Sequence, residues 1–289
     1  MPIPSVNVAV FLKEATNALH KLHPEECRLL AELLVSRALH CPRLELPLHY
    51  SNAIPPEIMP SLRADLERLT LGTPWQYLVG ETEFFGRKFK CDQRALIPRP
   101  ETELLVEWFL RYSPIHTAKA PVIVEAGVGS GCIIITIAAE LPHATCIGTD
   151  ISNDALNLAL ENAERHGIAG RIELRPNDLL ADLPPCHFDA VISNPPYVTT
   201  AEYQELPPHI RNFEPALALL AGDDGMKVAA WLAPQANRCL KPGGALFMEF
   251  APARIGLLRK YLADAGFVDI TTANDYVGRP HFICARLPE

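Results

Sequence analysis

No stretch of this chain is long and apolar enough to span a bilayer. The longest such run, around residues 133–139, falls far short of the ~20 residues a transmembrane helix needs. Residues 1–10 also lack a basic segment followed by a long apolar run, so no secretory signal is expected. The eight cysteines include no C-x-x-C pair, which argues against a disulfide framework and against a zinc site. They read as reduced thiols of a cytoplasmic protein with no metal. Positive charge is in deficit as well. With 26 Lys and Arg against 34 Asp and Glu, the net charge is −8, so the whole molecule has no electrostatic footprint for duplex DNA. A local basic patch could still meet RNA or an RNA-bound protein.

What is present is an ordinary globular composition. The chain has 289 residues, 48% hydrophobic and 21% charged, enough to bury two cores. Residues 1–75 read as all helix, with helices over roughly 6–22 and 57–71 and a third in which Leu30, Leu34 and Ala38 recur at helical spacing. Gly72-Thr73-Pro74 ends the block. Its 7 basic and 8 acidic residues nearly cancel, and nothing in it is placed for catalysis. It reads as a small domain that packs or docks.

Residues 76–100 form a connector. Glu83-Phe84-Phe85-Gly86 and Phe89 suggest a β-hairpin. Over 87–99, Arg87, Lys88, Lys90, Arg94 and Arg99 stand against Asp92 alone. They make either a solvated hairpin or a contact for an acidic partner or RNA phosphate.

Residues 101–289 alternate strand and helix. Strands are expected near 121–126, 144–149, 171–175, 188–193, 244–250, 267–273 and 281–286. Helices are expected over 101–111 and near 131–141, 153–166, 225–240 and 253–265. Such βα units predict an α/β domain with a doubly wound, mainly parallel sheet. The short link 273–280 cannot hold a helical crossover, so the last two strands should run antiparallel.

The first strand of that domain ends in Glu125-Ala126-Gly127-Val128-Gly129-Ser130-Gly131 and leads into an apolar helix. Glycines here let backbone approach a ligand and let helix pack on strand. The spacing is G-x-G-x-G. A dinucleotide fingerprint would need a further glycine where Cys132 stands. Asp150 closes the second strand and can accept both ribose hydroxyls of a nucleoside, and Asn177-Asp178 follows the third. These acids fall at carboxyl ends of strands, where open α/β sheets bind ligands.

Asn194-Pro195-Pro196-Tyr197 leaves the carboxyl end of the fourth strand. Prolines keep the carbonyl acceptor but lack the donor. The Asn194 side-chain oxygen and the Pro195 carbonyl could together accept both hydrogens of a planar NH2 group. Tyr197 could pack on that flat group and stabilise charge developing on nitrogen. A methyl donor held at the glycine turn would then face a planar amide or amine. The segment 198–222, with Pro207, Pro208 and Pro215, is long for a loop in a compact domain and is expected to be functional. With the helical domain and the basic hairpin it should wall a groove for the partner.

These motifs resemble S-adenosylmethionine-dependent amino-methyltransferases that carry an (N/D)PP(Y/F) signature. Over nearly its whole length the chain is similar to the HemK family of protein-(glutamine-N5) methyltransferases acting on peptide chain release factors. The similarity rests on Thr73-Pro74-Trp75-Gln76-Tyr77-Leu78-Val79-Gly80, Glu83-Phe84-Phe85-Gly86, Leu96-Ile97-Pro98-Arg99-Pro100-Glu101-Thr102-Glu103, and Phe213-Glu214-Pro215-Ala216-Leu217-Ala218-Leu219 followed by Gly222 and Asp224-Gly225-Met226. The resemblance implies a Rossmann-like class I methyltransferase domain behind a helical domain that grips the release factor. It also implies methyl transfer from S-adenosyl-L-methionine, leaving S-adenosyl-L-homocysteine, to the glutamine of a Gly-Gly-Gln motif in class-1 release factors.

For the site, the expected donor-binding residues are Glu125, Gly127, Val128, Gly129, Ser130, Gly131, Asp150, Asp178, Leu179 and Asn194. Asn194, Pro195, Pro196 and Tyr197 are the expected substrate-binding and catalytic residues. The chain departs from the family pattern D-L-G-T-G-(S/T)-G at Glu125, Ala126 and Val128, and Leu179 stands where relatives often carry tryptophan. The alternatives are a ribosomal-protein glutamine methyltransferase, a nucleic-acid adenine methyltransferase and a non-catalytic binding module. The 97–102 linker favours the release-factor branch over the first, the acidic balance speaks against a DNA enzyme, and the intact donor loop and tetrapeptide speak against a module.

Overall fold

The computed structural model describes residues 6–112, 115 and 119–289. Residues 1–5, part of the segment read for a signal, lie outside them. The chain forms two compact units, one of residues up to Val79 together with Pro208–Phe213, the other of Gly80–Pro207 and Glu214–Glu289.

The first unit is helical: α1 (Val8–Leu19), α2 (Cys27–Leu39), α3 (Met59–Thr70) and the short α4 (Trp75–Val79). On α1 the residues Val8, Phe11, Leu12, Ala15 and Leu19 recur at helical spacing and are buried. Asn7 starts the helix by accepting from the Val10 N–H at 2.8 Å. The core joins Phe11, Leu34, Leu62 and Leu69. The expectation of helix throughout fails between α2 and α3, where Arg43–His49 forms a 3-10 turn with Pro47 inside it. Proline removes an amide donor and so disfavours a longer α-helix there. Leu44 and Leu48 on this turn are exposed, at 86% and 77%.

The second unit opens with the hairpin β1 (Glu81–Phe84) and β2 (Arg87–Lys90). Phe85 and Gly86 both have positive φ, 51° and 68°, as a tight two-residue hairpin turn requires. Helix α5 (Pro100–Leu110) leads to a seven-stranded sheet. Its strands are β3 (Val122–Ala126), β4 (Thr145–Asp150), β5 (Ile172–Pro176), β6 (Phe188–Ser193), β7 (Leu240–Glu249), β8 (Val268–Asn274) and β9 (Pro280–Arg286), in the order β5-β4-β3-β6-β7-β9-β8. The first five are parallel, and β9 pairs antiparallel with both β7 and β8, as the short final link predicts. β7 starts earlier than expected, because Leu240 pairs with Phe188 before a register shift that ends at the Ala190–Ala245 pair.

The crossover helices are α6 (Cys132–Glu140), α7 (Asn153–Arg165), α10 (Lys227–Cys239) and α11 (Ile255–Asp264). Between β6 and α10 lie α8 (Thr200–Glu205) and α9 (Pro208–Arg211). Side chains alternate between the sheet faces. Ile123, Ala190 and Phe247 pack with α5 and α6, while Val124, Val191, Leu246 and Met248 pack with α10 and α11. Two apolar layers on a mainly parallel sheet explain why these strands read as continuous hydrophobic runs.

The segment 198–222 is more regular than its sequence suggests. Thr199 and Glu202 cap α8 reciprocally, and Val198 bridges to Leu220 in parallel.

Gly148 in β4 leaves the space that Val128 fills. A Cβ there would lie 2.8 Å from Val128 Cγ2 and 2.9 Å from Leu174 Cδ2. Gly148→Ala should therefore destabilise the protein by about 1–3 kcal/mol through overpacking, read as a lower urea midpoint at unchanged slope.

Candidate active site

The strand order reverses at β3, whose neighbours are β4 on one side and β6 on the other. A crevice opens at such a point beyond the carboxyl ends of the strands. Here it is a cavity of about 350 Å³, within the range of small-molecule sites. Parallel register pairs Glu125 with Ile192, and Ser193 Oγ donates to the Ala126 carbonyl at 2.7 Å. The next residues out, Gly127 and Asn194, thus leave adjacent strands about 4.8 Å apart. The glycine turn and the Asn-Pro-Pro-Tyr segment, far apart in sequence, are neighbours.

The turn is held from several sides. The Gly127 and Val128 amides donate to the Thr149 carbonyl at 2.9 and 2.8 Å. Asp150 accepts from the Gly129 amide with Oδ2 and from the Ser152 amide with Oδ1, both at 2.9 Å. Asn162 on α7, fully buried, donates to the Ser130 carbonyl at 2.9 Å and exchanges hydrogen bonds with the Lys90 backbone. The N-cap of α7 is Ser152, so Asp150 is not spent as a cap and keeps its remaining lone pairs for the cavity it lines.

Gly127 and Gly129 have positive φ, and a Cβ would meet nothing within 4 Å at the first and only Ala95 at the second. Their bareness leaves room for a ligand against the backbone. Gly131 serves differently. Its Cβ would lie 2.7 Å from Ile135 Cδ1 and 3.1 Å from Ala159 Cβ, and it does not line the cavity. The missing Cβ of Gly131 lets α6 approach α7.

Glu125, Val128, Ser130, Asp178 and Leu179 do line the cavity. Leu179 sits at φ 55°, and Trp231 of α10, 55% exposed, lines the same space. Nothing in the sequence marked Trp231. Glu125 Oε2 accepts from the Ile134 amide at 2.9 Å in the first turn of α6. Burial raises its pKa well above the ordinary value, and the charge of Asp150 adds to the rise. Burial also raises Asp150, against the opposing amide hydrogen bonds. Two buried acids whose ionisation is disfavoured make a site that suits a cation.

Of the tetrapeptide, Asn194 and Pro196 line the cavity, whereas Pro195 is buried. Among the described residues neither Asn194 Oδ1 nor the Pro195 carbonyl accepts a hydrogen bond. The Tyr197 ring lies edge-on to Phe250 at 5.8 Å and to His281 at 6.4 Å rather than along the cavity wall. Burial, reinforced by the charge of Glu249, pushes its phenol pKa upward, so Tyr197 stays neutral. Its carbonyl accepts from Arg254 at 3.0 Å, and a Cβ on Gly225 would come within 2.6 Å of that oxygen.

The basic connector is not a free patch. Arg87 pairs with Glu140, Lys88 with Glu81, Lys90 with Glu161, and Arg94 with Asp92 and Glu161. Arg99 meets the buried Glu214 at 2.5 Å, whose other oxygen accepts from the Ile97 amide at 3.0 Å. Each of these cations has an acidic partner within the protein. Glu140, Glu161 and Glu214 reach them from far along the chain, while Glu81 and Asp92 lie within the connector itself. Among the described residues no cluster of three His, Cys, Asp or Glu could hold a metal.

A Rossmann-like sheet with a bare glycine turn beside an acceptor-rich tetrapeptide defines a class I methyltransferase. Solved structures share the fold: the hMettl16 catalytic domain (17% identity, TM-score 0.54, covering 71% of this chain and 76% of that one) and a methyltransferase from Pyrococcus furiosus (17%, 0.50, 71% and 91%). The Methyltransferase small domain family matches residues 101–209, and the PrmC N-terminal domain family matches residues 11–80. The release factor glutamine methyltransferase of Geobacter sulfurreducens is 37% identical over 91% of this chain and 90% of its own length. That of Chlorobaculum tepidum is 38% identical over 87% of each. The chain belongs to the release factor glutamine methyltransferase family.

The raised acids give a signed pH dependence. A cation bound beside Glu125 and Asp150 favours their ionised forms, so binding must release protons. Affinity for S-adenosyl-L-methionine should rise with pH from the ordinary carboxylate range up through the raised pKa values. Calorimetry in buffers of different ionisation enthalpy should detect the released protons, and Glu125→Gln should diminish them.

Proposed function

We propose that this protein transfers a methyl group from S-adenosyl-L-methionine to the side-chain amide nitrogen of the glutamine in the Gly-Gly-Gln motif of class-1 peptide chain release factors, and so modulates translation termination. The observation that carries the reading is the placement of Asn194, with an unengaged acceptor oxygen, one strand across from the bare Gly127 backbone. The donor supplies an electrophilic methyl group and leaves as S-adenosyl-L-homocysteine: its S–CH3 bond breaks as the N–CH3 bond forms, and the nitrogen releases one proton to solvent.

What remains for the protein is alignment. Gly127, Val128, Gly129 and Ser130 admit the donor against the backbone, Asp150 holds its ribose, and Asp178 and Leu179 border its base. Glu125 and Asp150 offset its positive charge. Asn194 Oδ1 and the Pro195 carbonyl accept the two amide hydrogens and turn the nitrogen lone pair toward the methyl. Pro196 shapes the wall, and Tyr197 stiffens the turn from behind. The two glycines before the target glutamine make a slender stalk that can enter a narrow cavity.

The internal pairing of the connector cations weighs against a nucleic-acid substrate, so we assign no DNA partner. All eight cysteines are free thiols, in keeping with a cytoplasmic reaction. Among the described residues no helix is long and apolar enough to cross a membrane, and no membrane partner is assigned.

Incubation with labelled donor and purified release factor, followed by mass spectrometry, should place the methyl group on the glutamine of Gly-Gly-Gln. Label on lysine, a terminus or added nucleic acid would overturn the reading. Asn194→Ala should lower kcat about 100-fold, the scale of one lost preorganised polar contact, with little change in donor affinity. The helical domain is the proposed docking element. Leu44→Glu with Leu48→Glu should raise KM for release factor by about fivefold or more, since anchoring side chains carry about 1 kcal/mol or more each, while kcat and donor binding persist.

A further inference from the structure

An asparagine head is two-faced. Turned by half a rotation about its last bond, it exchanges an acceptor for two donors. A substrate amide nitrogen needs the acceptor, so the tetrapeptide works in only one of two orientations, and nothing within the tetrapeptide selects between them.

We propose that Thr102 and Glu249 form a polarity lock that fixes Asn194 with its carbonyl toward the substrate. This rests on the methyl-transfer reading of Asn194 given above. Asn194 Nδ2 donates to Thr102 Oγ1 at 3.2 Å, and Thr102 Oγ1 donates to Glu249 Oε2 at 2.7 Å. Thr102 has a single hydroxyl hydrogen, and the Glu249 carboxylate can only accept. The hydrogen is therefore committed to Glu249, and Thr102 turns only lone pairs toward Asn194. The NH2 edge of Asn194 satisfies them, whereas its carbonyl edge would set oxygen against oxygen.

Thr102 is 2% exposed and Glu249 1%, so bulk water does not stand in for a lost partner, and a mismatch there keeps its full cost. The far side of the carboxylate is held as well. Glu249 Oε1 lies 3.5 Å from His281 Nε2, and the His281 ring is fixed edge-on to Phe282 at 5.1 Å and to Tyr197 at 6.4 Å. Four elements converge on this chain of contacts: the first turn of α5, the carboxyl ends of β6 and β7, and the start of β9. Thr102 and Glu249 are positioning residues, acting through Asn194.

Thr102→Val preserves shape and removes the hydroxyl. It should lower kcat for release-factor methylation about tenfold or more, the scale of one misdirected hydrogen bond, with donor affinity unchanged. Thr102→Ser restores the hydroxyl and should return kcat to within about threefold of the starting protein.

A second readout needs no substrate. In protein labelled with 15N-asparagine, the Asn194 side-chain amide, assigned by its loss in Asn194→Asp, should exchange slowly with solvent and faster in Thr102→Val. Unchanged turnover with unchanged amide exchange in Thr102→Val overturns the lock. So does a Thr102→Ser variant as slow as Thr102→Val, because shape would then be what matters. Should Thr102→Val fail to bind donor, Glu249→Gln decides. Its amide head can donate to Thr102 and free the hydroxyl hydrogen to face Asn194, so turnover should fall and amide exchange quicken, and normal values for both refute the lock. If the unaltered protein labels no release factor, the functional reading fails while the amide exchange still decides the lock.

Discussion

The site depends on one register. Because β3 and β6 are parallel neighbours with Glu125 opposite Ile192, the residues that follow each strand emerge side by side. A one-residue slip would send every side chain of one strand to the other face of the sheet. It would shift Asn194 out of step with Gly127 and set Val191 and Ile192 against the wrong helical layers. Val191 and Ile192, fully buried on opposite faces, fix that register through packing, and Ser193 Oγ on the Ala126 carbonyl pins its last step. The chemistry of the tetrapeptide is thus set by the hydrophobic pattern of the strand before it.

Much of this was legible from sequence. Apolar runs bounded by turns identify the strands of the sheet, and helical spacing identifies the helices between them, because two-sided burial leaves a strong periodic trace. The glycine turn and Asn194-Pro195-Pro196-Tyr197 were legible because their composition is rare at a strand end. Other features depend on contacts that no linear spacing encodes. Thr102 and Glu249 are 147 residues apart and meet only in the folded chain. The basic connector read as either a solvated hairpin or a contact surface, because three of its partner acids, Glu140, Glu161 and Glu214, lie far along the chain. Gly131 belongs to the same run as Gly127 and Gly129, yet only the position of Ala159 reveals that it serves packing. Asn162, which ties Ser130 to the hairpin backbone, looks from sequence like any polar residue on an amphipathic helix.

Asp150 illustrates how a cavity-lining acid can be structural as well. Its two oxygens anchor the Gly129 and Ser152 amides, so the carboxylate shapes the loop it also equips. Val128 replaces a hydroxyl-bearing residue without disturbing the loop, because the backbone amides of Gly127, Val128 and Gly129 carry the restraint and the Val128 side chain fills the space above Gly148.

Glu214 ties two distant stretches into one body. Its carboxylate, 4% exposed, holds the Ile97 amide with one oxygen and Arg99 with the other, and Pro98 and Pro215 both line the cavity. Neither stretch can swing away alone without leaving a buried charge unpaired, at a cost of about 3–5 kcal/mol. The mouth of the cavity therefore moves as a single lip, and any widening that admits a bulky guest must carry linker and loop together.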